Sequence, residues 1–324
     1  MRRLLTFAAL LAPLLGYLPD QPYRYYLTGS EADVKTKTTA GFALIGGGKD
    51  PDPAFRWFLA RAGGGDVVVI RASGADGYNP YMMKFSQLDS VESIVVATPE
   101  AARDPFVAAK IRNAEALFIA GGDQWNYLRV WNHTPVSEAI QYLIEKGVPV
   151  GGTSAGLAVL GEYFYSAEND TVTSAQALAN PFHERVTVGT GFLRIPALKG
   201  IITDSHFHAR DRMGRTLVFL ARMMEGGKLP EARAIAIDER TAALTEPDGH
   251  IAVEGDGSVY FIRARNAASI CKPGTPLTMG GISVYRVGKG GDFDIKSWSG
   301  HGGVAYTFEV ESGVIHSSQA GEIY

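Results

Sequence analysis

The sequence VPVGGTSAG, residues 148–156, is an apolar run of strand length that passes directly into small residues. Gly152, Ser154 and Gly156 fit the pattern G-x-S-x-G, in which a sharp turn between a strand and a helix exposes a serine hydroxyl. The neighbours of Ser154 must be small, because larger side chains would clash at so tight a turn. The alternative is a glycine-rich turn in which Ser154 only caps the helix predicted over residues 157–162. Both interpretations place Ser154 directly after a buried strand.

Apolar runs of strand length alternate with helical stretches through most of the N-terminal two thirds of the chain. The predicted strands cover residues 42–45, 67–70, 94–96, 116–120 and 148–150, and the helices 54–62, 105–113 and 136–145. Near-continuous apolar strands with helices between them are typical of a parallel sheet covered on both faces. We therefore predict an α/β fold, a three-layer αβα sandwich with a mainly parallel sheet.

Beyond about Pro230 the pattern changes to short strands separated by Gly, Asp and Pro turns. These strands are predicted over residues 234–238, 241–245, 250–253, 258–263, 282–287 and 304–310. Their spacing is typical of an antiparallel, β-rich region. We therefore divide the chain into an α/β hydrolytic core, residues 41–229, and a β-rich C-terminal portion, residues 230–324.

The first residues have the layout of a secretory signal. Arg2 and Arg3 precede a mostly apolar run over residues 4–18, which is short for a membrane span. We expect a signal peptide over residues 1–18, a linker over residues 19–40 and a secreted or periplasmic protein. An uncleaved membrane anchor and a cytosolic helix are the alternatives, and only the anchor would bring the protein to a membrane.

Composition excludes several classes of partner. The net charge is −3 and no basic run is present, so nucleic-acid binding has no electrostatic support. Cys271 is the only cysteine, which rules out an internal disulfide and zinc sites of the CxxC type.

A second pair of glycines, Gly121 and Gly122, follows the predicted strand 116–120. The carboxyl ends of parallel strands meet at one edge of a sheet, so this pair would lie near Ser154. The backbone N–H groups of Gly122 and Ala155 could then stabilise a developing oxyanion. An ordinary β-turn is the alternative.

A general base and an acid to orient it would complete a nucleophilic site. His206 follows a predicted strand over residues 200–203 and is the favoured base, with His208 as its competitor. Glu168 is the favoured acid and Asp170 the second choice, although spacing alone decides neither. Three arginines follow His206, namely Arg210, Arg212 and Arg215. Because arginine grips carboxylates with two parallel hydrogen bonds, this cluster indicates a substrate that carries a carboxylate. The alternative is a solvated helix start.

Three segments together resemble the cyanophycinases and their relatives in peptidase family S51, which include aspartyl dipeptidases. They are FIAGGDQ at residues 118–124, GGTSAG at 151–156 and DSHFHARDRMGR at 204–215. The resemblance implies a Ser-Glu-His triad on a flavodoxin-like or amidotransferase-like sheet, in a homodimer without metal or cofactor. It also implies cleavage of cyanophycin, a poly-aspartate chain that carries arginine on its side chains, to β-Asp-Arg dipeptides.

By this resemblance Ser154 is the nucleophile, His206 the base, and Gly122 and Ala155 form the oxyanion hole. The residues implied in gripping the substrate are Gln124, Asp204, Ser205, Arg210, Arg212 and Arg215. Ser205 departs from the family, which has glutamine there, and Gln176 stands where a glutamate acid could have been lost.

Three rival functions stay open. One is an aspartyl or isoaspartyl dipeptidase on the same scaffold, and another is a catalytically silent binding protein. The third is an α/β-hydrolase esterase, which is disfavoured because nearly 120 residues follow His206.

Overall fold

A mixed β-sheet forms the centre of the protein in the computed structural model, which describes residues 21–324. Residues 1–18, for which we expect a secretory signal, lie outside the described residues. The strands within residues 21–324 are β1 (Arg24–Gly29), β2 (Phe42–Ile45), β3 (Asp66–Arg71), β4 (Ser90–Val95), β5 (Ala116–Ile119), β6 (Val150–Thr153), β7 (Tyr163–Tyr165), β8 (Val188–Thr190), β9 (Ile201–Asp204), β10 (Ala232–Ile237), β11 (Thr241–Thr245), β12 (His250–Gly255), β13 (Ser258–Ala264), β14 (Ile270–Lys272), β15 (Thr275–Asp294), β16 (Ser299–Glu311) and β17 (Val314–Ser317).

The helices lie mainly in the first two thirds of the chain. They are α1 (Asp52–Ala60), α2 (Tyr78–Met82), α3 (Pro99–Arg103), α4 (Pro105–Asn113), α5 (Gln124–Trp131), α6 (Pro135–Lys146), α7 (Ala155–Ala158), α8 (Ser174–Ala179) and α9 (Met213–Met224), with short 3₁₀ turns at Pro196–Leu198 and Glu225–Gly227. No helix within residues 21–324 has the length and apolar character needed to cross a membrane.

Five parallel strands run in the order β4-β3-β5-β6-β2. Their side chains are buried on both faces: Val68 and Ile70 pack into one hydrophobic cluster, whereas Val67 and Val69 pack into another. This alternation explains why the strands are apolar at nearly every position. The predicted three-layer α/β fold is confirmed.

The C-terminal strands extend this sheet. β11 pairs antiparallel with β2, and β10 pairs parallel with β9 and antiparallel with β13. The predicted β-rich, mostly antiparallel character of residues 230–324 is confirmed, but the β9–β10 pair is parallel. The loop that follows β10 therefore lies at the same edge of the sheet as the loop that follows β9.

The segment expected to be a linker contains an ordered strand. β1 pairs antiparallel with β4 at the edge of the sheet. The rings of Tyr23 and Tyr25 both pack against Phe106, with centroids 5.1 and 5.2 Å away. The linker prediction is therefore wrong for Arg24–Gly29, because alternating aromatic side chains give the segment an apolar face to bury.

Candidate active site

The turn after β6 holds Ser154 in a strained conformation. Ser154 has φ 54° and ψ −114°, and its backbone N–H donates to the carbonyl of Ile45 at 3.0 Å. A Cβ atom on Gly156 would lie 2.0 Å from the carbonyl oxygen of Ile119, and one on Gly152 would lie 2.6 Å from the Gly156 backbone. The Ser154 side chain makes no capping hydrogen bond to α7. The structure therefore fits the nucleophile turn, and not the capped helix start.

The helix after this turn is shorter than predicted and begins earlier. It covers Ala155–Ala158, not residues 157–162, and the chain turns over residues 159–162 before β7 begins. A Cβ atom on Gly161 would lie 2.6 Å from the carbonyl oxygen of Tyr163, so this tight turn leaves no room for a side chain there. The early start places the backbone N–H of Ala155 at the first turn, where helix N–H groups lack partners.

His206 lies beside the serine. Its Nε2 atom is 2.7 Å from the Ser154 hydroxyl oxygen, and its backbone N–H donates to the carbonyl of Gly46 at 2.8 Å. Gly47, with φ 95°, faces the imidazole ring so closely that a Cβ atom would lie 2.5 Å from Cε1 and Nε2. The turn after β2 thus fixes both the backbone and the ring of His206.

The acid that orients the imidazole is Glu239, directly after the β10 region. Its Oε1 atom lies 2.6 Å from Nδ1 of His206. The hydrogen-bond network fits one tautomer, in which Nδ1–H donates to the carboxylate and Nε2 accepts from the Ser154 hydroxyl. This arrangement of hydroxyl, imidazole and carboxylate has the geometry of a serine hydrolase triad.

The prediction of Glu168 as the acid is therefore wrong. Glu168 is exposed, and its Oε1 accepts from the Ser166 hydroxyl at 3.3 Å. It lines a separate cavity of about 280 Å³ between α5 and the β7–β8 pair. Chain order after the nucleophile favoured Glu168, but β7 carries it away from the imidazole.

The other candidate residues also lie elsewhere. Asp170 forms an ion pair with Arg185 at 3.3 Å, and Gln176 caps the start of α8. His208, the competing base, is exposed, and its ring stacks on Tyr324 with centroids 4.5 Å apart.

Electrostatics favour a neutral imidazole. Burial lowers the pKa of His206 below its ordinary value, and the charges of Arg210 and Arg212 lower it further, although Glu239 opposes the shift. The hydrogen bond with His206 lowers the pKa of the Glu239 carboxyl. At neutral pH the site therefore holds an unprotonated base next to an ionised carboxylate, as proton abstraction from a hydroxyl requires.

The two predicted oxyanion donors lie at the same small cavity as the serine. Gly122 and Ala155 both line it together with Ser154. A Cβ atom on Gly122 would lie 2.6 Å from the hydroxyl of Tyr127, which itself donates to the carbonyl of Ala120 at 2.9 Å. A side chain at position 122 would therefore displace this buried tyrosine.

Asp204 forms a buried network with two of the arginines. It accepts from Nε and Nη2 of Arg215 at 2.9 and 2.5 Å, from Nη1 of Arg212 at 3.2 Å and from the Thr216 hydroxyl at 3.1 Å. Burial alone would raise the pKa of Asp204, but the Arg215 and Arg212 guanidinium groups hold it below its usual range. Asp204 and Arg215 thus satisfy each other, and neither is free to grip a substrate as we expected.

The remaining residues that we predicted to contact the substrate differ in whether their side chains already have hydrogen-bond partners in the protein. Arg210 is exposed, lines the cavity and makes no side-chain hydrogen bond or ion pair within residues 21–324. Gln124 donates to the carbonyl of Tyr165 at 3.4 Å at the cavity wall. Ser205 is buried, and its hydroxyl lies 3.4 Å from Nη1 of Arg212. Arg210 is therefore the cation best placed to meet a ligand.

Metal-binding groups are not assembled in the part of the chain that the structure describes. No three His, Cys, Asp or Glu side chains within residues 21–324 lie close enough together to hold an ion.

Together the fold and this geometry define a serine hydrolase. The family model described as peptidase family S51 matches residues 52–244, more than half of the chain. The protein belongs to peptidase family S51.

Relatives in sequence include cyanophycinases. The chain is 28% identical over 273 residues to the cyanophycinase of Trichormus variabilis, covering 80% of this chain and 86% of that one. It is also 28% identical over 270 residues to the cyanophycinase of Geminocystis herdmanii, covering 78% of this chain and 93% of that one. The crystal structure of a peptidase from an acI-B1 Actinobacterium shares the fold, with a TM-score of 0.53 and 16% identity over 80% of this chain and 98% of that chain.

Proposed function

We propose that the protein is a cyanophycinase-type hydrolase, which cleaves cyanophycin or a related aspartyl or β-aspartyl peptide through a Ser154 acyl-enzyme. The observation that carries the proposal is the continuous line of hydrogen bonds from Ser154 through His206 to Glu239, at 2.7 and 2.6 Å. The cyanophycinase relatives support the substrate class.

The mechanism follows from the positions of these groups. Nε2 of His206 removes the hydroxyl proton while the Ser154 oxygen attacks the carbonyl carbon of the scissile bond. The backbone N–H groups of Gly122 and Ala155 stabilise the oxyanion, each donor contributing roughly 3–4 kcal/mol by analogy with other serine hydrolases. The imidazolium, oriented by Glu239, then protonates the leaving amine. A water molecule, deprotonated by the same imidazole, finally releases the acid product from the serine.

The cationic wall of the cavity supports an acidic substrate. The Arg210 side chain makes no hydrogen bond or ion pair within residues 21–324. Arg212, in contrast, donates from Nη1 to the Asp204 carboxylate and to the Ser205 carbonyl. A substrate carboxylate beside the scissile bond would meet the free guanidinium of Arg210 and offset its charge next to His206. In an Asp-X dipeptide this carboxylate is that of the aspartate side chain, and in cyanophycin it is that of the arginine attached to each aspartate.

An aspartyl or isoaspartyl dipeptidase is the second candidate. Ser205, in place of the glutamine expected from the family resemblance, favours it, because the short buried side chain contacts Arg212 and cannot extend toward a ligand as a glutamine could. The loss of one substrate-binding amide alters recognition of the polymer more than it alters the reaction at Ser154.

Products of digestion distinguish the two candidates. Purified protein is incubated separately with cyanophycin and with a panel of Asp-X and isoaspartyl-X dipeptides, and the products are identified by mass spectrometry. We expect β-Asp-Arg from cyanophycin, and no product from the Ser154→Ala variant. Turnover of dipeptides without turnover of cyanophycin would assign the dipeptidase function instead.

We propose in addition that residues 1–18 direct export, since Arg2 and Arg3 precede the apolar run. Fractionation of expressing cells, with N-terminal sequencing of the product, tests this. Protein that stays cytosolic with an intact N-terminus would contradict it.

A further inference from the structure

The loop that carries His206 is irregular and needs support from outside. We call residues 205–212, between β9 and α9, the histidine loop. His206 and Asp211 both have positive φ, at 47° and 46°, which is unfavourable for residues with a side chain. Within the loop the backbone N–H groups of Arg210 and Arg212 donate to the carbonyls of His206 and Phe207, at 3.1 and 3.0 Å. These short-range bonds leave the outer part of the loop, from His208 to Asp211, facing solvent.

Tyr324 packs against that outer part. Its hydroxyl donates to the Asp211 carboxylate at 2.8 Å and accepts from the backbone N–H of Met213 at 2.9 Å. Its ring stacks on His208, with centroids 4.5 Å apart and planes at 14°, and meets Phe207 edge-on at 5.8 Å. One side chain thus contacts the histidine loop and the first residue of α9 at four points.

The segment that carries Tyr324 is itself anchored on the sheet. The carbonyl of Ile323 accepts from the Tyr306 hydroxyl on β16 at 3.2 Å, and the N–H of Ser318 donates to the carbonyl of Thr307. The ring of Tyr324 also packs edge-on against the buried Tyr260 at 6.0 Å. The Tyr324 side chain, which contacts the histidine loop, is therefore itself held in place by β13 and β16.

We propose that Tyr324 is a positioning residue, which holds the histidine loop in the shape that presents His206 to Ser154 and Arg210 to the substrate. This role rests on the proposed function. Tyr324 lies 118 positions after His206 in the chain, in a segment that takes no part in the reaction itself. The two groups on the loop depend on Tyr324 to different degrees. His206 is also held by Gly46 and Glu239, whereas the Arg210 side chain makes no hydrogen bond or ion pair within residues 21–324 and takes its position from the loop alone.

This difference predicts unequal effects on binding and on chemistry. In Tyr324→Ala we expect KM for the peptide that the parent hydrolyses to rise about tenfold, with kcat lowered about threefold at most. Labelling of Ser154 by a fluorophosphonate should slow by a similar factor of about three, because it depends on His206 and not on Arg210. Tyr324→Phe, which keeps the ring and loses both hydrogen bonds, should lie between Tyr324→Ala and the parent.

The experiment measures KM, kcat, the fluorophosphonate labelling rate and the melting temperature for both variants. Tyr142→Ala, which removes an exposed tyrosine on α6, is the matched control and should equal the parent in all four. Tyr324 variants that fold and match the parent in KM and labelling rate would overturn the inference. The inference would also be overturned if the activity of Tyr324→Ala fell only in proportion to the fraction of folded protein while Tyr324→Phe kept the activity of the parent. If the parent is labelled but hydrolyses neither peptide class, the proposed substrate fails, and the labelling rates alone decide the role of Tyr324.

Discussion

The Glu239 carboxylate lies 2.6 Å from Nδ1 of His206, although the two residues are 33 positions apart in the chain. They follow neighbouring strands, since β9 and β10 pair in parallel and so end at the same edge of the sheet. His206 and Arg240, the residue after Glu239, donate their backbone N–H groups to the carbonyls of Gly46 and Gly47 in the turn after β2, both at 2.8 Å. Three strand ends therefore fix the imidazole from three sides.

Gly47 gives the first prediction, because the imidazole leaves no room for a side chain there. In Gly47→Ala the new methyl group would overlap the ring and also strain the backbone at φ 95°. We expect kcat/KM to fall by about 10²-fold in a protein that still folds.

Gly77→Ala is the matched control for this change. A Cβ atom there would have nothing within 4 Å, and Gly77 has φ −54°, which alanine readily adopts. Its activity should equal that of the parent. Equal activity of Gly47→Ala and Gly77→Ala would contradict the close packing of the turn against the imidazole.

The pH dependence of kcat/KM gives the second prediction. Catalysis needs neutral His206, whose pKa is lowered by burial and by the charges of Arg210 and Arg212. Activity should therefore be lost as the pH falls through a value below 6.5, the ordinary value for histidine.

Arg210→Ala removes one of the charges that lower this pKa, so the acid limb should move to higher pH. Arg210→Lys keeps the charge and should leave the limb nearly in place. A pH profile of Arg210→Ala that is displaced to lower pH, or superimposable on that of the parent, would be incompatible with the described surroundings of the imidazole.

The buried pair of Asp204 and Arg215 gives a third prediction, on stability. Their side chains are only 5% and 3% exposed, so Arg215→Met would leave the Asp204 charge buried with a single arginine partner, Arg212. We expect the free energy of unfolding to fall by about 3–5 kcal/mol in urea titrations.

The exposed pair of Arg240 and Asp256 provides the control. Their side chains are 55% and 75% exposed, and exposed ion pairs contribute little to stability. Arg240→Met should therefore unfold at nearly the urea concentration of the parent. An equally small effect of Arg215→Met would show that Asp204 does not depend on Arg215 for its charge.

Much of this site could be predicted from sequence because it follows one rule. Ser154 and His206 each follow an apolar strand, and the carboxyl ends of parallel strands meet at one edge. The glycines around Ser154 could be recognised because a strained turn with no room for side chains demands them at fixed spacing. Local patterns of this kind can be recognised in a single sequence.

Glu239 could not be found in the same way. Its strand was predicted over residues 234–238, but the short strands and turns after Pro230 indicated an antiparallel region. Only the parallel pairing of β10 with β9 brings Glu239 to the imidazole. Sequence alone also could not separate Arg210 from Arg215, because the burial of Arg215 against Asp204 depends on the packing of α9 on the sheet.

The most direct measurement is kcat/KM of Glu239→Gln beside Glu168→Gln, on the peptide that the parent hydrolyses. A glutamine at position 239 can donate to Nδ1 and so favour the wrong tautomer of His206. We therefore expect a loss of about 10³–10⁴-fold. Glu168→Gln, altered at an exposed carboxylate outside the cavity that contains Ser154, should keep the parent's kcat/KM within about twofold. A Glu239→Gln enzyme with the activity of the parent, or a severe loss in Glu168→Gln alone, would contradict the triad of Ser154, His206 and Glu239.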